Sequence, residues 1–108
     1  MATKTVTANT VPQEVFSAGV SIGKITHIEI DNPTANPITV TVYDAFTPTP
    51  SAGNPSPSAV TEVRKITTVA ANSHIDLRDL DIDIYGICTV GATATDNTVN
   101  ISVTYTVK

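Results

Sequence analysis

Four aspartates within eight residues form the densest local group of side chains that could do chemistry: Asp76, Asp79, Asp81 and Asp83. Calcium accepts roughly six to eight oxygen ligands, which carboxylates can supply. The segment lacks the glycine-bearing loop of an EF-hand, and a strand would place Asp76 opposite Asp79. We therefore expect a solvated acidic edge that opposes aggregation between sheets, and whether the four bind calcium stays open.

A second group has the residue types of a hydrolytic triad: Ser73, His74 and Asp76. Triads are assembled from separate elements, whereas neighbours on one strand point in opposite directions. We expect no catalysis here. His27 is predicted to be a surface residue, and two histidines with one cysteine do not suggest a zinc site.

Cys88 is the one cysteine of the chain, so no intrachain disulfide can form. We interpret it as a small buried apolar residue in a strand, because a nucleophilic thiol needs an accessible, electropositive setting. A chain without disulfides suits a reducing cytosol. Together these patterns predict no enzyme and no cofactor.

Composition limits the class of protein. The 108 residues fit one domain, 1–108, and 41% hydrophobic with 15% charged residues is typical of a folded chain. A net charge of −4 argues against nucleic acid, whose binding needs clustered Lys and Arg. There is no apolar run of about 20 residues to span a membrane, and the start of the chain lacks the pattern of a signal peptide.

Alternating Thr, Val and Ile predict strands throughout. The pattern is strong at 24–31 and 38–46, which we expect to form a hairpin around the turn Asn-Pro-Thr-Ala-Asn-Pro at 32–37. In the second strand the predicted core face holds Ile38, Val40, Val42, Asp44 and Phe46.

Further strands are predicted around 14–16 and at 59–69, 74–80 and 81–90, the last buried on both faces. In the final strand we expect these residues to face inward: Val99, Ile101, Val103, Tyr105 and Val107. About seven to eight strands with regular turns predict an all-β fold, an antiparallel two-sheet β-sandwich or jelly roll.

Two segments are candidates for binding partners. Residues 1–10 are polar and predict an N-terminal arm or a short edge strand, with contacts expected from Lys4, Thr5 and Val6. Residues 47–58 form a Pro-rich surface loop, because closely spaced prolines favour extended backbone and exclude a helix or an inner strand. Its expected contact residues are Pro48, Pro50, Pro55 and Pro57. A solvated loop without a partner is the alternative.

The order of segments carries a resemblance. Ile-Thr-His-Ile-Glu-Ile-Asp-Asn-Pro-Thr precedes Ile-Thr-Val-Thr-Val-Tyr, then a variable loop, then Thr-Val-Ala-Ala-Asn-Ser-His-Ile-Asp-Leu and a closing Val-Asn-Ile-Ser-Val-Thr-Tyr-Thr-Val. From about residue 20 onward this resembles small β-sandwich accessory proteins of tailed bacteriophage virions. The resemblance implies a structural, non-catalytic role as a capsid decoration or related head or tail protein.

We therefore expect a virion protein, assembled in the host cytoplasm, that binds viral capsid or tail proteins and forms a homo-oligomer, with a trimer favoured. The alternative is a non-catalytic binding module that recognises a glycan or cell-surface ligand through its loops. A hydrolase or metalloenzyme is the least supported, because the strand assignments do not bring His, Cys or carboxylate groups together.

Overall fold

The structure, a computed structural model, describes residues 2–19, 21–48 and 50–107. Met1 of the predicted arm and Thr49 of the predicted loop lie outside these ranges. The described residues form nine strands: β1 (Ala2–Ala8), β2 (Gln13–Ser17), β3 (Gly23–Asn32), β4 (Ile38–Phe46), β5 (Val60–Val69), β6 (Ser73–Leu77), β7 (Ile82–Ile84), β8 (Ile87–Ala92) and β9 (Asp96–Val107).

The strands form two antiparallel sheets. Sheet A has the order β1-β9-β3-β6, and β7 also pairs with β3, on the residues that β6 leaves open. Sheet B has the order β2-β8-β4-β5. Six of the eight connections cross from one sheet to the other, and with β6 and β7 counted as one interrupted strand each sheet has four positions. This is the arrangement of a jelly roll, so the predicted two-sheet sandwich is confirmed.

The core lies between the sheets and is aliphatic, as the composition predicted. Alternate residues of β3, β4 and β9 are buried, including Ile28, Val40 and Ile101. Burying each such side chain stabilises the fold by roughly 1.5–3 kcal/mol. At one end of the core the rings of Phe16 and Tyr105 stack with centroids 4.1 Å apart.

The predicted hairpin at 32–37 is wrong, although both of its strands exist. β3 belongs to sheet A and β4 to sheet B, so the turn carries the chain across the sandwich. The buried Asn32 amide nitrogen donates to the carbonyls of Asn36 at 2.9 Å and Ala70 at 3.1 Å, while its oxygen accepts from Thr34. These bonds satisfy a polar turn that two prolines prevent from joining a ladder.

The predicted central strand at 81–90 is also wrong, because it is broken at Tyr85 and Gly86. β7 pairs with β3 in sheet A, whereas β8 pairs with β2 and β4 in sheet B. Ile84 and Cys88 are buried, but Tyr85 and Ile87 are exposed, so this segment is not buried on both faces. The split accounts for a ninth strand.

The strand predicted at 74–80 ends earlier, at Leu77, because the backbone of Asp79 turns to a φ of 56°. The strands predicted around 14–16 and at 59–69 are confirmed as β2 and β5. In β9 the inward positions are confirmed except at its end, where Val107 is exposed.

The sequence predicted either an arm or an edge strand at the N-terminus, and the structure shows the edge strand. β1 pairs with β9 from Ala2 to Ala8, with Thr5 opposite Ser102. The residues of 47–58 that are described form an exposed connection between β4 and β5, closed at its tip by a bridge from Ser51 to Asn54. No helix in the described ranges is long and apolar enough to cross a membrane.

Candidate partner-binding surface

The predicted acidic cluster separates into ion pairs with neighbouring side chains. On β6, Asp76 Oδ2 accepts hydrogen bonds from Arg78 Nε at 2.9 Å and Nη2 at 2.8 Å, and Oδ1 lies against Nε2 of His27. The hydrogen bond from Arg78 holds the pKa of Asp76 below its ordinary value. His27 thus lies on the outer face of sheet A, as predicted, but against a carboxylate.

The remaining aspartates of the cluster do not join Asp76. Asp81 and Asp83 face Lys24 on β3, with carboxylate oxygens 2.6 Å and 3.9 Å from its ammonium nitrogen. Throughout the described ranges, no three His, Cys, Asp or Glu side chains are placed to hold a metal ion. Three of the four aspartates therefore lie on the surface of sheet A in ion pairs, while Asp79 is exposed at the bend between β6 and β7.

Ser73 and His74 are not directed at one another. The Ser73 hydroxyl donates to the carbonyl of Ala71 at 3.1 Å. The His74 ring lies 3.6 Å from Glu29 and 3.7 Å from Asp31, both on β3. Because the hydroxyl and the imidazole have different neighbours, this group does not form the nucleophile and base of a triad.

The Cys88 side chain is fully buried in β8, as predicted. Burial, with a smaller contribution from the nearby Asp44 carboxylate, raises the pKa of its thiol to about 12. A thiol of this kind stays protonated at neutral pH and is a poor nucleophile.

Sequence reasoning placed Asp44 on the core face but missed the pairing that its buried carboxylate makes at the end of the core. Asp44 is the one fully buried charged side chain among the described residues. Its Oδ2 accepts hydrogen bonds from Arg64 Nη2 at 2.8 Å and from the backbone N–H of Tyr85 at 2.9 Å, and Oδ1 accepts from the N–H of Gly86 at 3.0 Å. The carboxylate thereby joins β4, β5 and the link between β7 and β8.

Arg64 connects the buried Asp44 carboxylate to the surface of the protein. The hydrogen bond to Asp44 raises the pKa of the guanidinium, and Nη1 also lies 3.1 Å from a carboxylate oxygen of Glu62. The cation lies 5.6 Å from the centre of the Phe46 ring and 5.4 Å from that of Tyr85. At such distances a cation attracts the face of an aromatic ring, so Arg64 holds both rings in place.

Gly86 lets the chain pass close to β4. A Cβ atom at this position would lie 2.0 Å from the carbonyl oxygen of Ala45, which is far inside van der Waals contact. Its own carbonyl accepts from the N–H of Ala18 at 2.9 Å. The residue therefore ties β2, β4 and β8 at the point where the chain changes sheets.

These elements meet at one end of the sandwich, here named the loop end. In sheet B it is marked by the pair Phe46 and Val60 and by the start of β8. In sheet A it is marked by Gly23, which pairs with both Ile84 and Val107. Eight large apolar side chains are exposed among the described residues, and five of them lie at or beside these positions: Ile22, Val60, Tyr85, Ile87 and Val107.

An open cleft of about 760 Å³ lies at the loop end. Ile22, Tyr85 and Ile87 line it and are 52%, 47% and 40% exposed. Arg64 and Glu62 supply its charged groups. Large exposed apolar groups brought together in a concave surface are typical of a site that binds a partner.

The residues predicted to bind partners lie on both sheets. Lys4 and Thr5 are exposed on β1, at the edge of sheet A, while Val6 packs against the core. The four predicted prolines lie in the connection between two strands of sheet B. Pro50 and Pro55 are exposed, Pro48 and Pro57 are half-buried, and Pro48 lines the cleft.

Only part of this surface had a signal in the sequence. An aspartate at an inward position of an alternating strand indicates a buried charge, which requires a partner. The identity of that partner, Arg64, depends on a strand pairing that the pattern does not specify.

Comparisons of the chain with protein-family models, with curated proteins and with solved structures gave no significant match.

Proposed function

We propose that the protein is a non-catalytic structural protein of a virus particle, a capsid decoration or related head or tail accessory protein. It binds neighbouring subunits through the edge strand β1 and the Pro-rich loop at 47–58, and it assembles as a homo-oligomer. The observation that carries this proposal is the loop end, where exposed apolar side chains and the Pro-rich loop meet on a rigid base.

The chemistry of the described residues supports binding rather than catalysis. Asp44 and Arg64 are bonded to one another, and the Cys88 thiol is buried and protonated. In the acidic segment, Asp76 pairs with His27 and Arg78, and Asp81 pairs with a lysine. Side chains that are paired in this way stabilise the surface that they form.

The topology also supports the proposal. Jelly rolls occur in viral capsid domains, and also in lectins and cupins, so the fold is compatible with the role without specifying it. The edge strand offers backbone groups for strand addition. The Pro-rich loop loses little entropy on docking, because its prolines restrict the backbone in advance.

The test uses virus particles purified from cultures that carry the gene. A labelled antibody against the protein should bind the particle surface, and the purified protein should co-sediment with particles from which it has been stripped. Replacing 47–58 by a short glycine turn, or Lys4 and Thr5 by Glu, should weaken co-sedimentation while the melting temperature changes little. Unlabelled particles, or co-sedimentation that neither variant weakens, would contradict the proposal.

The cleft also favours a second candidate, a binding module for a glycan. The exposed ring of Tyr85 and the side chain of Glu62 both line the cleft, and sugars are bound by aromatic faces together with polar groups. This candidate predicts saturable binding on a glycan array that is lost in Tyr85→Ala. It ranks second because Arg64 already lies over both aromatic rings of the cleft, Phe46 and Tyr85.

A further inference from the structure

We infer that two copies of this chain associate through the outer faces of their B sheets, related by a two-fold axis that runs parallel to the strands. The inference goes beyond the proposed function, which assigns partner contacts to β1 and to the Pro-rich loop. Three properties carry it: a sheet face almost without charge, apolar side chains exposed on that face, and opposite charges at its two edges.

The strand pairing of sheet B defines its outer face. Alternate residues of β4 are buried, from Ile38 to Asp44, so the residues between them point away from the core. These outward residues are Thr39, Thr41, Tyr43 and Ala45. Residues directly opposite one another in antiparallel strands lie on the same face, so the pairing also identifies the outward residues of the neighbouring strands.

Apolar side chains of β5 and β8 extend this face. On β5, Val63 lies opposite Tyr43 and Ile66 lies opposite Thr41, and these two apolar side chains are 51% and 60% exposed. On β8, the exposed Ile87 belongs to the same face. Large apolar side chains that lie exposed together mark a surface that binds another molecule.

The same face is almost free of charge. Glu14 of β2 is the one charged residue that the described strand pairings of sheet B place on it. The outer face of sheet A differs, because β3 and β6 bring Glu29, Asp31, His74 and Asp76 together there. Depletion of charged residues, with tyrosine enriched, distinguishes the centre of a protein interface from the rest of the surface.

The charge of the chain favours a second copy as the occupant. The net charge is −4, and acidic residues lie on the outer face of sheet A, so two copies repel one another when these regions meet. They can approach without this cost through a face that lacks charge. A partner of opposite charge would gain more from the acidic face of sheet A than from this one.

Charges at the two edges of sheet B select the geometry. Glu14 lies on the β2 edge and Lys65 on the β5 edge, and neither forms an ion pair with a residue that the structure describes. A two-fold axis parallel to the strands places the β2 edge of each copy over the β5 edge of the other. The flexible stem of Lys65 then lets its ammonium group approach Glu14 of the second copy. An axis across the strands would instead place each edge over itself and bring two Glu14 carboxylates together.

The face is large enough for such a contact. Sheet B has four strands, and β4 and β5 are nine and ten residues long. With about 3.4 Å per residue and about 4.8 Å between strands, the face measures roughly 30 by 19 Å. Two such faces present roughly 1,100 Å² in plan, and the side chains that project from them add to the area removed from water. Specific interfaces begin at about 1,200 Å².

The first experiment measures association of the full-length chain by analytical ultracentrifugation over a dilution series. The natural chain should dimerise as its concentration rises. Ile66→Glu should weaken dimerisation by about tenfold or more, because the symmetric contact would bury the new charge twice. Val107→Glu is the matched control, since Val107 is also an exposed apolar residue of a strand but lies in sheet A, and it should leave dimerisation unchanged. If Ile66→Glu does not fold, Val63→Glu replaces it.

The second experiment tests the axis by exchanging charges at low ionic strength, where charge pairs are least screened. Glu14→Lys and Lys65→Glu each bring like charges together and should each weaken dimerisation by about threefold to tenfold. The double variant exchanges the two charges and should restore dimerisation to the level of the natural chain. With the axis across the strands, the double variant would show no such restoration.

The outcomes separate this inference from the proposed function. A chain that is monomeric at every concentration, or dimerisation that Ile66→Glu does not weaken, would overturn the inference. Failure of the charge exchange would overturn the axis. If the chain is monomeric and Ile66→Glu weakens its co-sedimentation with stripped particles, the face binds a particle protein, so the inference is wrong while the proposed function stands. Dimerisation with the expected variant effects supports the inference even if virus particles lack the protein.

Discussion

Replacement of Asp44 by Asn should destabilise the protein far more than the small change in side-chain shape suggests. The change preserves shape but removes the charge that Arg64 requires. It also places an NH₂ group opposite either the N–H of Gly86 or the donors on Oδ2, so at least one buried donor loses its acceptor. Breaking a buried ion pair by removing one partner costs about 3–5 kcal/mol. In a domain of this size the melting temperature should fall by about 12–25 °C.

The assay is equilibrium unfolding in urea, followed by circular dichroism, with Asp31→Asn as the matched control. Asp31 also lies on a strand, but its carboxylate is half exposed and 3.7 Å from the nearest histidine nitrogen, so the control should lose less than about 0.5 kcal/mol. Arg64→Met should cost at least as much as Asp44→Asn, because it leaves the fully buried Asp44 carboxylate without its counter-charge, whereas the guanidinium that Asp44→Asn leaves behind still reaches solvent.

A double-mutant cycle tests the reasoning directly. If Asp44 and Arg64 act as a pair, the double variant should be less destabilised than the sum of the single variants, by about 1 kcal/mol or more. Additive effects of the two substitutions would refute this pairing. So would a decrease of less than about 1 kcal/mol in the free energy of unfolding of Asp44→Asn.

The remaining predictions concern the close backbone approach at Gly86, the Cys88 thiol and the Asp76 carboxylate. Gly86→Ala should prevent stable folding, because a Cβ would lie 2.0 Å from a backbone oxygen, whereas Gly53→Ala, which has open space, should unfold at the same urea concentration as the natural chain. Cys88 should not react with a thiol reagent at pH 8 until the protein is unfolded. Since its pKa rises from 9.0 to about 12 on folding, stability relative to Cys88→Ala should be constant below pH 9 and should fall as the pH rises towards 12. The pKa of Asp76 is lowered from 3.8, so its contribution to stability is present above that pH and is lost as the pH falls; Arg78→Ala should raise this pKa in an NMR titration.

Alternation along the chain predicted which residues face the core but not which strands pair. Most of the inward residues of β4 and of β9 follow directly from a period of two, and the exceptions are Phe46 and Val107 at the ends of these strands. The same period continues through Ile84, Gly86 and Cys88 although the chain changes sheets there, so the pattern concealed the break. At 32–37 it could not distinguish a hairpin from a crossing, because both reverse the chain.

The site shows the same limit. The inward position of Asp44 was visible, and a buried charge needs a partner, but Arg64 reaches it only because β4 and β5 are neighbours with a bulge between Val42 and Tyr43 in their register. The Pro-rich loop was located from composition alone. The cleft beside it was not, since it is formed by four separated segments of the chain.

The position of β9 between β1 and β3 has a consequence for biosynthesis. This strand follows the eight others in the chain, yet it pairs with β1 on one side and with β3 on the other in sheet A. A nascent chain that has emerged only as far as β8 holds sheet A in two parts, β1 alone and β3 with β6 and β7, and these parts cannot join until residues 96–107 leave the ribosome. Formation of sheet A should therefore be slow, as is usual where contacts join residues that are distant in the sequence. Copies truncated before β9 should be degraded or aggregate rather than enter an assembly.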